Sequence, residues 1–454
     1  MSFLRSPFIC FILFLVPPAL LQSQPRAGLP DTPAGRHVTA YVSAFNAGET
    51  EMREFLKNHW APDALQSVSL EARLARYNDM RRNLGSLAFH RLLDDTGNAL
   101  VTIMRSERAG WLEVTFSFDD SPPRAVTRIS IQPTDDPDQA FVRRSASVAD
   151  MLTRVSAYMD SLTALDLFSG VVAIARNDSF LFHRAYGSRD RERRLPNHEE
   201  TRFNVGSINK IFTRLAILHL ASEGRLSLSD TVGRFLPAYP NGEVRHSVTI
   251  QHLITMSSGI GDFFGDRYEA ADKEKILTLE DYLPLFADKP LEFPPGTGTR
   301  YSNGGYILLG LIVQRASGID YFAYVRKHVF APAGMTASDW FRKAALPSDA
   351  ALGYSTENKI SNYPTLPGRG SSAGGGYSTT GDLFRFVHAL EDGILKLPDV
   401  QNGLGIAGGA PGLNAALEWD PRSGYVIIVL ANLDPPAAGR VAQYIRRTLP
   451  VHTP

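Results

Sequence analysis

Two short apolar runs, Gly170 to Ala175 and Phe180 to Ala185, flank Asn177-Asp178 and predict a β-hairpin. A long apolar helix follows. Ile211, Phe212, Leu215, Leu218 and Leu220 recur on broad faces, and Gly224 marks its C-terminal cap. A second apolar helix, Ile307 to Val313, comes after a Pro- and Gly-containing stretch at Pro294-Pro295-Gly296. Closer to the N-terminus the pattern changes. Val38, Tyr41, Val42 and Phe45 fall at helical spacing, and Phe55 and Leu56 suggest a second helical piece. Four β-prone runs then follow: Leu87 to Leu93, Ala99 to Met104, Trp111 to Phe118 and Ala125 to Ile131. Asp95-Thr96-Gly97-Asn98 and Glu107-Arg108-Ala109-Gly110 supply turn chemistry between them.

These patterns divide the chain. At 454 residues it exceeds one comfortable core, so two or three domains are expected. Residues 1–24 read as a signal peptide: Arg5 flanks an apolar run, Phe8 to Val16, ended by Pro17 and Pro18, with small and polar residues around Gln22 to Gln24. That run is short of the roughly 20 residues that a membrane span needs. A periplasmic or secreted location is therefore expected, with no stable span once the leader is removed. The one cysteine, Cys10, lies inside this leader, so the mature chain would hold no disulfide, thiol nucleophile or cysteine-bound metal. Residues 36–133 form the small α+β unit, whose helices followed by a meandering sheet resemble the NTF2-like fold. His59 and His90 read as ordinary surface or core residues of that unit. Residues 134–148 are the expected linker, in a stretch with two prolines and several aspartates (Asp119, Asp120, Asp135 and Asp136 among them). The 47 basic and 47 acidic residues cancel, which excludes the electrostatic footprint of a nucleic-acid-binding chain.

The chemistry stands at the start of the first apolar helix, in Gly206-Ser207-Ile208-Asn209-Lys210. Serine and lysine three apart on a helix share one face. A serine hydroxyl is a weak nucleophile until a neighbour takes its proton, and a lysine desolvated by apolar surroundings can do that. The helix N-terminus adds partial positive charge and free backbone donors near the reacting centre. A capping serine with a solvated lysine would look the same in isolation. However, Ser207 is the only serine with a lysine three residues on, and it opens the most apolar helix, where an inward lysine needs a reason. Tyr301-Ser302-Asn303 precedes the second apolar helix. A tyrosine hydroxyl beside an ammonium can relay protons, and an asparagine amide can hold a substrate carbonyl. Tyr239-Pro240-Asn241 has the same spacing and reads as a turn.

Ser207-x-x-Lys210 with Tyr301-Ser302-Asn303 resembles the penicillin-binding proteins, class C β-lactamases and their esterase relatives. The phrases Phe203 to Lys210, Leu226 to Asp230, Leu253 to Gly259, Gly374 to Thr379 and Gly408 to Gly412 are similar to that family in the same order, from about Ala149 to Leu449. The resemblance implies an α+β catalytic domain over residues 149–454, with an antiparallel sheet flanked by helices and an all-helical lobe. It also implies acyl-enzyme chemistry on a small ester, amide or peptide, with no metal or organic cofactor. By position, Ser207 is the nucleophile, Lys210 its activating partner, Tyr301 the general base or acid, and Asn303 a substrate contact. The oxyanion hole would be the backbone N–H groups of Ser207 and Gly409, and Gly408 would contact the substrate. The strand bearing Gly409 is expected to pair with Tyr425 to Leu430 across a turn at Asp420 to Gly424.

Two positions depart from the family pattern. Ile406 stands where relatives carry lysine or histidine, in Gly405-Ile406-Ala407-Gly408-Gly409, and bears on substrate choice. Met256 replaces a usual histidine and bears on packing. D-alanyl peptides and β-lactams carry a carboxylate beside the scissile bond, which Ile406 cannot hold unless Arg369 reaches in. An esterase- or amidase-like enzyme is therefore expected, with a D-alanyl peptidase or β-lactamase as the alternative. A third alternative is a low-turnover receptor for cell-wall peptides. Gly370-Ser371-Ser372-Ala373-Gly374 matches the serine elbow of α/β-hydrolases, but prolines and glycines surround it where that motif needs a strand and a helix. His183, His219, His246, His252 and His328 are scattered without metal-ligand spacing and read as structural or exposed.

Overall fold

A computed structural model describes residues 28–67, 70–95, 97–119, 125–134, 144–398 and 400–450. The leader, Thr96 of the first predicted turn and residues 135–143 of the linker lie outside the described residues. Contacts divide the chain into two compact units, one ending at Val142 and one continuing from Arg143.

The first unit places helices before a meander, as the patterning predicts. Helix α1 (Pro33–Ala47) starts at Thr32, whose side chain accepts the Gly35 N–H at 3.2 Å. The chain turns at Gly48 into α2 (Glu49–His59). Two further helices, α3 (Pro62–Ser67) and α4 (Leu70–Leu84), were not anticipated. Strands β1 (Leu87–Asp95), β2 (Ala99–Ser106), β3 (Gly110–Phe118) and β4 (Val126–Thr134) then pair antiparallel in chain order. Along β3, Leu112, Val114, Phe116 and Phe118 are buried at every second position. They close a core with Val38, Tyr41 and Phe45 of α1 and Phe55 of α2. His59 stacks on Phe55 and His90 meets Trp111 edge-on, so both serve packing.

The second unit is built on a five-stranded antiparallel sheet. Its strands are β5 (Gly170–Arg176), β6 (Ser179–Tyr186), β7 (Leu404–Ala410), β8 (Leu413–Asp420) and β9 (Tyr425–Ala431), in spatial order β7-β8-β9-β5-β6. The predicted hairpin is β5–β6, with Asn177 in the left-handed region at φ 52°. The expected pairing of the Gly409 strand with Tyr425 to Leu430 is corrected. β8 lies between them, pairing with β7 on one side and β9 on the other. Gly412, at φ 73°, makes the β7–β8 turn tight enough to admit this extra strand.

Alternation along β5 explains why both sheet faces are covered. Val171, Ala173 and Ala175 face one core, and Val172 and Ile174 the other. On the second face pack α5 (Val148–Ala164), through Met151, Val155 and Met159, and the C-terminal helix Ala437–Thr448, through Val441 and Ile445. The first face receives α6 (Asn209–Ser222), through Phe212, Leu215 and Ala216, which joins the sheet to a helical lobe. That lobe centres on the helix Asn303–Ser317, whose Ile307, Leu308 and Leu309 are fully buried. Each such side chain contributes about 1.5–3 kcal/mol. Glu223 is the C-cap of α6, with the predicted Gly224 one residue later at φ 70°. No helix among the described residues is long and apolar enough to cross a membrane.

Candidate active site

Gly206 opens the site. Its φ of 51° is left-handed, and a Cβ there would lie 2.9 Å from Leu413 Cδ1 and 3.1 Å from the Gly409 nitrogen, so only glycine fits without displacement. It begins a single 3₁₀ turn, Gly206–Ile208, that runs directly into α6. Ser207 therefore sits in the turn that leads into the helix rather than in its first α-helical residues. Asn209 braces this turn by donating to the Gly206 carbonyl at 2.7 Å. Ile208 and Phe212 anchor it in the core.

The turn brings Lys210 back to Ser207, with Nζ 3.2 Å from Oγ. Lys210 is buried, and its ammonium donates to Ser207 Oγ, to Asn303 Oδ1 at 2.7 Å and to the Ala373 carbonyl at 2.5 Å. It also lies 4.7 Å from the Tyr301 ring centre and 5.5 Å from that of Tyr306. Burial pushes the Tyr306 hydroxyl up to about 12, so that ring is a neutral wall. The Tyr301 oxygen stands 2.5 Å from Ser207 Oγ. Ser207 and Tyr301 are partly exposed, whereas Lys210 and Asn303 are buried behind them.

Tyr301 and Asn303 owe their positions to a helix start. Ser302 is the N-cap of Asn303–Ser317, accepting the Gly305 N–H at 2.8 Å and donating to the Gly261 carbonyl at 3.1 Å. The segment before it is pinned by the Leu253 to Gly259 phrase: the Met256 carbonyl accepts the Arg300 N–H at 2.9 Å, and Ser257 accepts that of Gly296 at 2.8 Å. Met256 thus holds the tyrosine segment through its backbone, at a left-handed φ of 57°, besides packing on the core. Asp262 was missed by sequence reasoning. Its Oδ2 accepts from Asn303 Nδ2 at 2.7 Å, which turns the Asn303 oxygen toward Lys210. Its only signal was an acidic residue three places after Gly259.

The Gly408 and Gly409 stretch crosses the turn at close range. A Cβ on Gly408 would lie 2.9 Å from the Ser207 nitrogen and 2.1 Å from the Val205 carbonyl oxygen. The structure thus brings the Ser207 and Gly409 amides beside one another at the edge strand β7. Ile406, on the same strand opposite Leu417, is partly buried against the main core. Arg369 is engaged elsewhere: its guanidinium lies 3.6 Å over the Phe322 ring and its Nε donates to the Trp340 carbonyl at 2.9 Å. The Gly370 to Gly374 segment has neither a strand before it nor a helix directly after it. Ser371 and Ser372 are buried, Ser372 donates to the Tyr306 carbonyl at 2.8 Å, and the segment's contribution is the Ala373 carbonyl on Lys210. Tyr239 is buried, and Asn241 caps a short helix, Gly242–Ser247. His183 pairs with Thr380, His219 with Tyr324, and His252 completes a capping box with Thr249.

Known proteins are similar to this chain in sequence and in fold. The β-lactamase family model matches residues 155–404. Penicillin-binding protein 4* of Bacillus subtilis is 31% identical over 239 residues, which cover 49% of this chain and 52% of that protein. Esterase EstB of Burkholderia gladioli is 34% identical over 222 residues, covering 46% and 55%. The chain thus spans about half the length of these curated relatives. A solved penicillin-binding protein from Bacillus halodurans superposes with a TM-score of 0.58 at 30% identity, over 64% of this chain and 98% of that one. Since the family model covers more than half of the sequence, on a sheet and lobe that a solved penicillin-binding protein shares, the chain belongs to the β-lactamase family.

Proposed function

We propose that this chain is an exported serine hydrolase that works through an acyl-enzyme on Ser207, with small esters or amides as its substrate class. The observation that carries this reading is the 2.5 Å approach of the Tyr301 oxygen to Ser207 Oγ, within a network that also holds Lys210 and Asn303. In this reaction Tyr301 accepts the Ser207 proton as Oγ attacks the substrate carbonyl carbon. Lys210, whose ammonium lies against the Tyr301 ring, favours the charged phenol oxygen. The N–H groups of Ser207 and Gly409 receive the oxyanion. Tyr301 returns the proton to the leaving alcohol or amine, the acyl group stays on Ser207, and water activated by the same tyrosine releases it. Asn303 orients Lys210 and offers its second amide hydrogen to the substrate.

Ile406 supports the substrate class. An apolar side chain on the edge strand favours substrates that lack a carboxylate beside the scissile bond, and Arg369, stacked on Phe322, supplies no substitute. Export rests on the leader; N-terminal sequencing of protein recovered outside the cytoplasm is expected to start just after Gln24.

Incubation with a fluorophosphonate, followed by mass spectrometry, tests the reading. One adduct mapped to Ser207 is expected. Ser207→Ala is expected to lose both the adduct and turnover of p-nitrophenyl esters while staying folded, at a stability cost of no more than about 1–3 kcal/mol for the partner that Lys210 and Tyr301 lose. An adduct at another residue refutes the assignment, and no adduct under any condition favours a peptide receptor of little turnover.

A further inference from the structure

The oxyanion hole proposed above needs a rigid Gly409 N–H, yet Gly409 lies on a glycine-rich edge strand of the sheet. β7 is an edge strand, and its sequence, Leu-Gly-Ile-Ala-Gly-Gly-Ala, has three glycines and two alanines with little side chain to hold it. Its backbone is held on one side only, by the ladder with β8, so a side chain that reinforces that hold matters more here than on an inner strand.

Asn414 is placed to do so. It lies on β8 directly opposite Gly409, and its side chain is buried. Its Nδ2 donates to the Gly408 carbonyl oxygen at 2.9 Å. That oxygen belongs to the same planar peptide as the Gly409 N–H, and in a trans peptide the two point in opposite directions. Holding the Gly408 oxygen toward β8 therefore turns the Gly409 N–H toward the open edge, where the Ser207 turn crosses. The other end of the Asn414 amide is equally committed. Its Oδ1 accepts the N–H groups of Ala438 at 2.7 Å and Gly439 at 3.0 Å, in the first turn of the C-terminal helix. These are orphan donors of a helix start, so they fix which end of the amide is oxygen and polarise its N–H toward Gly408. Asp434 and Asn362 pin the adjoining turn, at the Gly412 N–H (2.6 Å) and the Pro411 carbonyl (2.7 Å), but neither touches the 408–409 peptide in this way.

We propose that Asn414 is the positioning residue of the oxyanion hole, orienting the Gly408–Gly409 peptide and tying it to the C-terminal helix. This rests on the reading of Ser207 as nucleophile. Asn414 meets no reacting atom. Its removal should therefore weaken binding of a tetrahedral species and leave ground-state binding nearly intact.

The test uses the full chain with Asn414→Asp and Asn414→Ala. Asn414→Asp keeps size and the acceptor for the helix while removing the donor to Gly408. Steady-state rates on p-nitrophenyl butyrate are normalised to the sites that fluorophosphonate titrates to completion, so an unfolded fraction does not enter. The expected result is a kcat lowered at least about tenfold, bounded by the ~100- to 1000-fold cost of deleting an oxyanion donor. KM should stay within roughly twofold, and inhibition by phenylboronic acid, which forms a tetrahedral adduct, should weaken in parallel with kcat. An Asn414→Asp enzyme with unchanged kcat and unchanged boronate inhibition overturns the proposal, as does a loss confined to KM. If the wild type takes no fluorophosphonate at Ser207, the nucleophile reading falls and this inference with it. If the wild type is labelled and the variants keep their kcat, this inference falls alone.

Discussion

Lys210 is the residue on which the site turns, because a buried ammonium that donates to Ser207, Asn303 and Ala373 cannot be altered without leaving polar groups unpaired. Lys210→Ala and Tyr301→Phe are each expected to lower kcat on a p-nitrophenyl ester by orders of magnitude, with the double variant scarcely worse than the poorer single. Groups that act as one unit are strongly non-additive. Two effects that multiply independently would show that the pair shares no relay. Ile406 carries the second expectation at this scale. A charge-assisted hydrogen bond is worth about 1.5–3 kcal/mol, or roughly tenfold to more than a hundredfold in specificity. Ile406→Lys is therefore expected to raise kcat/KM on nitrocefin by about that factor while p-nitrophenyl ester turnover gains nothing. Efficient nitrocefin hydrolysis by the parent, or no gain in the variant, contradicts the role given to Ile406. Ser207, Lys210, Tyr301 and Asn303 were legible because each carries its chemistry in its own side chain at a recognisable spacing. Asp262, Ala373 and Asn414 were not. They act through another side chain or a peptide group, and one carboxylate, carbonyl or amide among many leaves no spacing to read.

Among the elements, the hairpin β5–β6 and the helices α6 and Asn303–Ser317 were readable, since long apolar stretches bounded by turn residues admit few alternatives. β8 was missed for a physical reason. Leu413 to Leu417 is buried on both faces, so its apolar and small residues never alternate with polar ones, and only the turn at its far end stood out. Helix α4 was missed because its charged residues outnumber the few, such as Leu74 and Tyr77, that reach the core. The 3₁₀ turn before α6 rests on Gly206, and two glycine substitutions separate its two demands. Gly224→Ala, at φ 70° with open space where the Cβ would go, meets strain alone. It should cost about 1–2 kcal/mol of stability and leave kcat within roughly twofold. Gly206→Ala adds the clash with Leu413 and the Gly409 nitrogen. It should lower kcat on a p-nitrophenyl ester at least about tenfold, because it would displace a proposed oxyanion donor. Equal kcat in the two variants would mean that the contact between this turn and β7 has no part in catalysis.

At the scale of the whole molecule, each of the two units encloses its own core. The helix-then-meander order of the first unit was visible in where the hydrophobic period changes, whereas the sheet and helical lobe of the second were implied by the family resemblance of its motifs. Every residue assembled around Ser207 (Lys210, Asp262, Tyr301, Asn303, Ala373, Gly409 and Asn414) comes from the second unit. A lesion in the first core therefore separates stability from chemistry. Phe45 is fully buried there and packs 5.4 Å from the Tyr77 ring, whose hydroxyl donates to the Phe45 carbonyl at 3.1 Å. Truncating a buried phenylalanine to alanine costs about 3–5 kcal/mol, against a total of roughly 5–15 kcal/mol for a domain. Phe45→Ala is thus expected to bring down one calorimetric transition by many degrees and leave the other in place. Fluorophosphonate labelling of Ser207 and p-nitrophenyl ester turnover at 25 °C should stay within about twofold of the parent. Turnover that falls in step with the lost transition would show that the first unit holds the catalytic unit in its working form, and the enzyme would then have to be treated as one cooperative body.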